Sequence, residues 1–144
     1  MKKIFIGLIL GVALNLSAAE HEVKMLNFGD GGSMIFEPGF LKVNKGDTIH
    51  FKSVDLAHNS ESVKGLIPAG ASPWKGEINE NISVTLNEEG VYVYQCTPHL
   101  MMAMVGVIQV DNNNNLDDVK LKASQLKNSF VTNKERLDQY LSEL

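Results

Sequence analysis

Cys96 is the only cysteine in this chain of 144 residues, and it opens the run Cys96-Thr97-Pro98-His99-Leu100-Met101-Met102-Ala103-Met104. An imidazole follows three residues later and a thioether at Met104, while a second imidazole, His58, lies far upstream. A thiolate, two imidazoles and a weak axial thioether form the donor set of copper sites that pass electrons. The sulfur donors suit Cu(I), the imidazoles serve both oxidation states, and a closed set leaves no position for a substrate. With neutral His58 and His99 and an anionic Cys96, the Cu(I) site has no net charge and the Cu(II) site has one positive charge. A pocket of low dielectric constant then favours the reduced form.

The N-terminus gives the lone thiol its significance. Met1-Lys2-Lys3 is basic, Ile4 to Leu14 is almost wholly apolar, and Ser17-Ala18-Ala19 offers small residues at a cleavage position. This pattern predicts a secretory leader over residues 1–19 and a mature chain from Glu20. The apolar run falls short of the ~20 residues needed to span a bilayer, and no cysteine at the cleavage position offers a lipid anchor. A leader of bacterial type points to the periplasm, with no membrane anchor. An unpaired thiol is a liability in such an oxidising compartment unless a metal holds it. The chain has 13 Lys+Arg against 17 Asp+Glu. Loss of Lys2 and Lys3 with the leader leaves 11 against 17, a net charge of −6. No basic run tracks a phosphate backbone, which excludes nucleic-acid binding.

The ligands need elements to position them. Val23 to Phe28, Ile35-Phe36, Leu41 to Val43, Thr48 to Phe51, Ile78 to Leu86, Val91 to Gln95 and Val105 to Val110 read as short strands. Turn residues such as Asn44-Lys45-Gly46-Asp47 and Asn87-Glu88-Glu89-Gly90 separate them, a spacing that predicts an all-β sandwich over residues 20–110. Cys96 then ends one strand, His99 sits in a loop stiffened by Pro98, and Met104 leads into the last strand. His58 comes from the loop after the Thr48 strand, and Asn59 is placed to bond Thr97 and to present its N–H to the Cys96 sulfur. Beyond the polar linker Asp111 to Asn115 the period changes. Leu116, Val119, Ala123 and Leu126, then Leu137, Tyr140, Leu141 and Leu144, predict two short C-terminal α-helices over residues 111–144 that pack on the sandwich. Thr132-Asn133-Lys134-Glu135 has the pattern of a capping box.

The chain resembles the pseudoazurins, a family of small periplasmic cupredoxins. The resemblance rests on Met25-Leu26-Asn27, Phe36-Glu37-Pro38, His58-Asn59, Lys64 to Pro68, Ile78 to Asn81, and the Cys96 to Val107 segment. It implies a Greek-key cupredoxin β-sandwich and one copper ion on His58, Cys96, His99 and Met104. It further implies a monomeric electron carrier, not an enzyme, serving periplasmic redox proteins such as copper nitrite reductase or c-type cytochromes. The family rings its exposed ligand histidine with lysines. Here Phe28, Leu56 and Gln95 stand where some of them belong, leaving Lys75 and Lys64 beside an apolar patch of Pro98, Leu100, Met101 and Met102.

Two other classes of protein would use such residues differently. A copper-trafficking or storage protein would use the thioethers of Met101, Met102 and Met104, and would release Cu(I) readily to a chelator. A copper enzyme would need an open coordination position or a second metal. His21 and His50 have no ligand partners nearby in sequence and read as structural or solvent-facing.

Overall fold

The computed structural model describes residues 17–144. The expected leader therefore lies, through residue 16, outside the described residues. Strands β1 (Glu20–Gly29), β2 (Gly32–Glu37), β4 (Thr48–Ser53) and β6 (Ile82–Thr85) form one sheet, in the order β2-β1-β4-β6. Strands β3 (Phe40–Val43), β5 (Glu61–Ser62), β7 (Gly90–Gln95) and β8 (Val105–Val110) form the other, in the order β3-β8-β7-β5. Pairs β1·β4 and β3·β8 are parallel and the remaining pairs antiparallel. Such parallel pairs require connections that cross between sheets, which gives the Greek-key sandwich.

The alternation of β7 accounts for two cores. Tyr92 and Tyr94 point between the sheets, where they join Val23, Met25, Phe36, Ile49, Phe51 and Ile108. The ring of Tyr94 meets Phe36 and Phe51 edge-on at centroid distances of 4.8 and 5.0 Å. Trp74 stacks on Phe51 at 5.9 Å, a packing role. Gly106 pairs with Tyr94 across the ladder, and a Cβ there would lie 2.2 Å from the Tyr94 ring. The glycine is what lets the tyrosine lie flat on β8.

Val91 and Val93 point the other way, with Val105 and Val107. Helices α1 (Leu116–Lys127) and α2 (Arg136–Leu141) cover that outer face with Val119, Ala123, Leu137 and Leu141, and Phe130 between the helices joins them. Each of the Val, Leu and Phe side chains among them, fully buried, contributes ~2 kcal/mol of hydrophobic stabilisation. No helix among the described residues is long and apolar enough to cross a membrane.

The structure departs from the sequence reading in three places. The strand expected from Ile78 begins only at Ile82, because Asn79 adopts a left-handed conformation (φ 68°) and turns the chain. The short strand β5, which is not among the strands expected from the sequence, is paired with β7 through Glu61 and Ser62. The capping box does not form: α2 starts at Arg136 and has no side-chain cap. The Thr132 N–H instead donates to the Met101 carbonyl, and Asn133 at φ 53° redirects the chain before the helix begins.

Asp47 secures the start of β1. Its buried carboxylate pairs with His21 Nε2 at 2.8 Å and accepts from the Asn44 N–H at 3.0 Å and, in the full chain, from the Ala19 N–H at 2.8 Å. Burial alone would raise its pKa, but the His21 hydrogen bond, the two backbone donors and the His21 charge together hold it below the usual carboxylate value. The carboxyl therefore stabilises the fold above its unfolded pKa of ~3.9, and that contribution is lost as pH falls through the depressed folded value. Asp47→Asn is expected to lower the unfolding free energy at pH 7 by about 2 kcal/mol, the scale of hydrogen bonds to a charged group. The difference from wild type should shrink in urea titrations at pH values below ~3. An equal deficit at both pH values would show that the carboxylate charge is not what stabilises this corner.

Candidate metal centre

β7 and β8 run as an antiparallel pair up to Gln95 and Val105, so the two ends of the intervening loop are held side by side. Across that gap the Cys96 N–H donates to the Met104 carbonyl at 2.9 Å. Between them the chain winds into a short 3-10 helix (Thr97–Met102), which Pro98 starts without loss of a needed donor. The His99 N–H bonds the Cys96 carbonyl at 3.2 Å and the Met104 N–H bonds the His99 carbonyl at 3.2 Å. Ala103, left-handed at φ 53°, turns Met104 back into the sandwich.

His58 arrives from the loop after β4. The left-handed Ala57 donates its N–H to Asn79 Oδ1 at 2.6 Å, and the Asn79 N–H bonds the His58 carbonyl at 2.8 Å. His58 Nε2 lies 3.0 Å from Asn27 Oδ1. An amide oxygen only accepts, so Nε2 carries the proton and Nδ1 presents a lone pair. That Nδ1 lies 3.6 Å from Cys96 Sγ, and His99 Nδ1 lies 3.4 Å from the same sulfur on another side. The three donor atoms all fall within 4.8 Å of one another, and no other group of this kind is found among the described residues. Met104 is fully buried in the same core cluster as Cys96.

Polar side chains hold this arrangement from behind. Asn59 is buried and bonds Thr97 twice: its Oδ1 accepts the Thr97 N–H at 2.8 Å, and its Nδ2 donates to Thr97 Oγ1 at 3.1 Å. The same Nδ2 also donates to the Gly76 carbonyl at 3.1 Å. The Thr97 hydroxyl in turn donates to Glu61 Oε2 at 2.8 Å. The link between Asn59 and Thr97 matches the sequence-based expectation. Nothing in the local sequence marks Asn27 or Gly76 for these roles. His21 and His50 lie apart, on Asp47 and on Ser83 Oγ at 2.7 Å.

Burial pushes the Cys96 thiol above its ordinary range, against the pull of the Asn59 and His99 backbone N–H groups. Burial pulls His58 down, and the neighbouring His99 adds to that effect against a weaker pull from Asp55. Without metal, Cys96 is a neutral thiol beside a neutral His58 at neutral pH, so copper uptake must release the thiol proton. The set is rich in soft donors, shielded from water except at His99, and has its His58 lone pair already aimed inward. These features fit a copper ion, and not a hard cation that needs oxygen ligands.

Comparison with known proteins agrees. Residues 23–111 match the family of copper-binding proteins described as plastocyanin/azurin. A pseudoazurin of Paracoccus pantotrophus is 41% identical over 137 residues, which cover 94% of this chain and 91% of that one. The crystal structure of native pseudoazurin from Hyphomicrobium denitrificans superposes with a TM-score of 0.75 at 38% identity, covering 87% of this chain and 98% of the other. The pseudoazurin structure from Methylobacterium extorquens AM1 gives the same TM-score and identity over 86% and 98%. Copper is the cofactor, and the role is that of a blue copper electron carrier, not of an enzyme. The chain belongs to the pseudoazurins, within the plastocyanin/azurin family of copper-binding proteins.

Proposed function

We propose that His58, Cys96, His99 and Met104 hold a single copper ion, and that residues 20–110 form the copper domain with residues 111–144 as its packed extension. The observation that carries this reading is the Cys96 sulfur flanked by two imidazole Nδ1 atoms at 3.6 and 3.4 Å in a buried pocket. Bound there, copper supplies a one-electron couple between Cu(I) and Cu(II). Cys96 provides the anionic donor, His58 is oriented by Asn27, and Met104 adds a weak axial thioether. His99 is the one partly exposed member of the set and provides the way out for the electron.

The proposed setting is the periplasm, where the monomer serves redox proteins such as copper nitrite reductase or a c-type cytochrome. Exposed apolar residues that adjoin the site in the chain support apolar docking: Phe28 follows Asn27, Leu56 lies two residues before His58, and Met101 is in the loop of His99. Phe28, Leu56 and Met101 are 78, 74 and 63% exposed. Lys75, the cation expected to steer, lies 3.9 Å from Glu61, so part of its charge is already met.

Cys96→Ser should abolish the intense visible absorption of the oxidised copper protein and leave the fold intact by circular dichroism. Colour that survives this change would refute the ligand assignment. Met104→Gln should retain copper and lower the reduction potential, because an oxygen donor favours Cu(II). A raised potential, read by voltammetry, would mean that Met104 is not the axial ligand. For docking, stopped-flow transfer to a nitrite reductase should slow by about tenfold in Met101→Lys, which puts a charge into the apolar contact. Lys75→Ala should change the rate by only about twofold, as for an exposed ion pair. A steep fall of the wild-type rate with salt, together with a normal rate in Met101→Lys, would exclude apolar docking.

A further inference from the structure

Arg136 is 5% exposed, yet no ion pair among the described residues includes it. A buried guanidinium needs compensation for the water it gives up. Here backbone carbonyls supply it from two separate segments. Nη1 donates to Ala103 O at 3.0 Å and to Met34 O at 2.8 Å, with Met102 O at 3.5 Å, and Nη2 donates to Ser33 O at 3.0 Å. Ser33 and Met34 belong to β2, and Ala103 is the residue before Met104. Only a planar fork with several fixed donors can serve carbonyls on two chain segments at once, which a lysine ammonium on a flexible stem does poorly.

Arg136 does not act alone. The Met101 carbonyl accepts from the Val131 N–H at 2.7 Å and the Thr132 N–H at 3.2 Å. The Met102 carbonyl accepts from Asn133 Nδ2 at 3.1 Å. Three successive carbonyls, Met101, Met102 and Ala103, are thus all tied to the segment from Val131 to Arg136. Ala103 and Met34 are moreover both left-handed, at φ 53° and 46°. That conformation is strained for a non-glycine residue and persists where the surroundings over-determine it. The same nitrogen of Arg136 holds the carbonyls of both.

We propose that Arg136 is a positioning residue for the metal site: through Ala103 it fixes the turn that delivers Met104, so the C-terminal segment sets the place of the axial ligand before any metal binds. The inference rests on Met104 being a ligand, as argued above, but its first test needs no metal.

In the metal-free full-length protein, amide hydrogen exchange at Ala103 and Met104 should be as slow as in β8. In Arg136→Met it should rise about tenfold at these two amides, the scale of one lost hydrogen bond, with β1 and β4 unchanged. In the copper-loaded protein the same variant should change the intensity ratio of the visible thiolate-to-copper bands and the shape of the Cu(II) spin resonance spectrum. Arg136→Lys, which keeps a donor, should restore part of both. If Arg136→Met does not fold, Arg136→Lys probes the same carbonyls and Asn133→Ala the adjoining Met102 carbonyl, and each should loosen Ala103 and Met104 to a lesser degree. Rapid exchange at these amides in the wild type would overturn the proposal. So would a uniform rise across all strands, or an unchanged spectrum in a folded variant whose loop exchange has increased. A Met104→Gln protein with wild-type spectrum would instead fault the ligand assignment and leave the exchange result standing.

Discussion

A sulfur atom shut away from water must be either a neutral thiol or a thiolate held by a metal, and the surroundings of Cys96 are arranged for the exchange between these two. Burial disfavours the bare anion, while N–H groups of Asn59 and His99 point at the sulfur and lower the cost of charging it. Two imidazole nitrogens already flank it. A site that must hold copper in two oxidation states gains from being rigid, because every rearrangement between the states would slow electron transfer. The polar links around Cys96 supply that rigidity. Asn27 sets the tautomer of His58, Asn59 and Glu61 fix Thr97, and the ladder end joins Cys96 to Met104.

The same demand explains the position of the C-terminal helices. β7 is buried on both faces, so its Val91 and Val93 need a cover that the opposite sheet cannot supply. The helices provide it with Leu137 and its neighbours, and in doing so bring Arg136 and the segment before it against the copper loop. Packing on the outer face and order in the ligand loop are therefore one structural problem. The loop has little hydrogen bonding of its own beyond single turns: the Ala103 carbonyl otherwise has the Val105 N–H at 2.9 Å, while those of Met101 and Met102 depend on the C-terminal segment.

Much of this is written locally in the sequence. The strands with strict alternation, such as Val91 to Gln95, are legible because a sandwich imposes period two on them. The grouping of Cys96, His99 and Met104 follows from one short loop, and Asn59 was legible because it adjoins His58. What escaped was non-local. Asn27 reaches His58 across 31 positions, and nothing in its own neighbourhood marks it as a histidine's partner. The pattern Thr132 to Glu135 failed as a cap because tertiary bonds to Met101 took the Thr132 N–H first. Arg136 reads as a polar residue at the start of an amphipathic helix, and its partners lie as far as 103 positions away. β5 was hidden because its two residues carry no periodicity at all.

The burial of the site also decides how electrons can cross its surface. His58, Cys96 and Met104 are fully enclosed, so only the imidazole of His99 brings the donor set near solvent. Exposed apolar side chains adjoin it in the chain, Pro98 and Met101 of the same loop among them, and Lys75 leans towards Glu61, which is itself bonded to Thr97 beside Cys96. Long-range attraction from this face is correspondingly weak, and screening by salt has little to remove. Contact then depends on a few hydrophobic side chains over a small area. Such an interface forms without strict orientation and separates quickly, which suits a protein that must meet a donor and an acceptor in turn. The enclosure that keeps water from the sulfur thus also confines exchange to one edge, and the chemistry of that edge sets the speed of turnover.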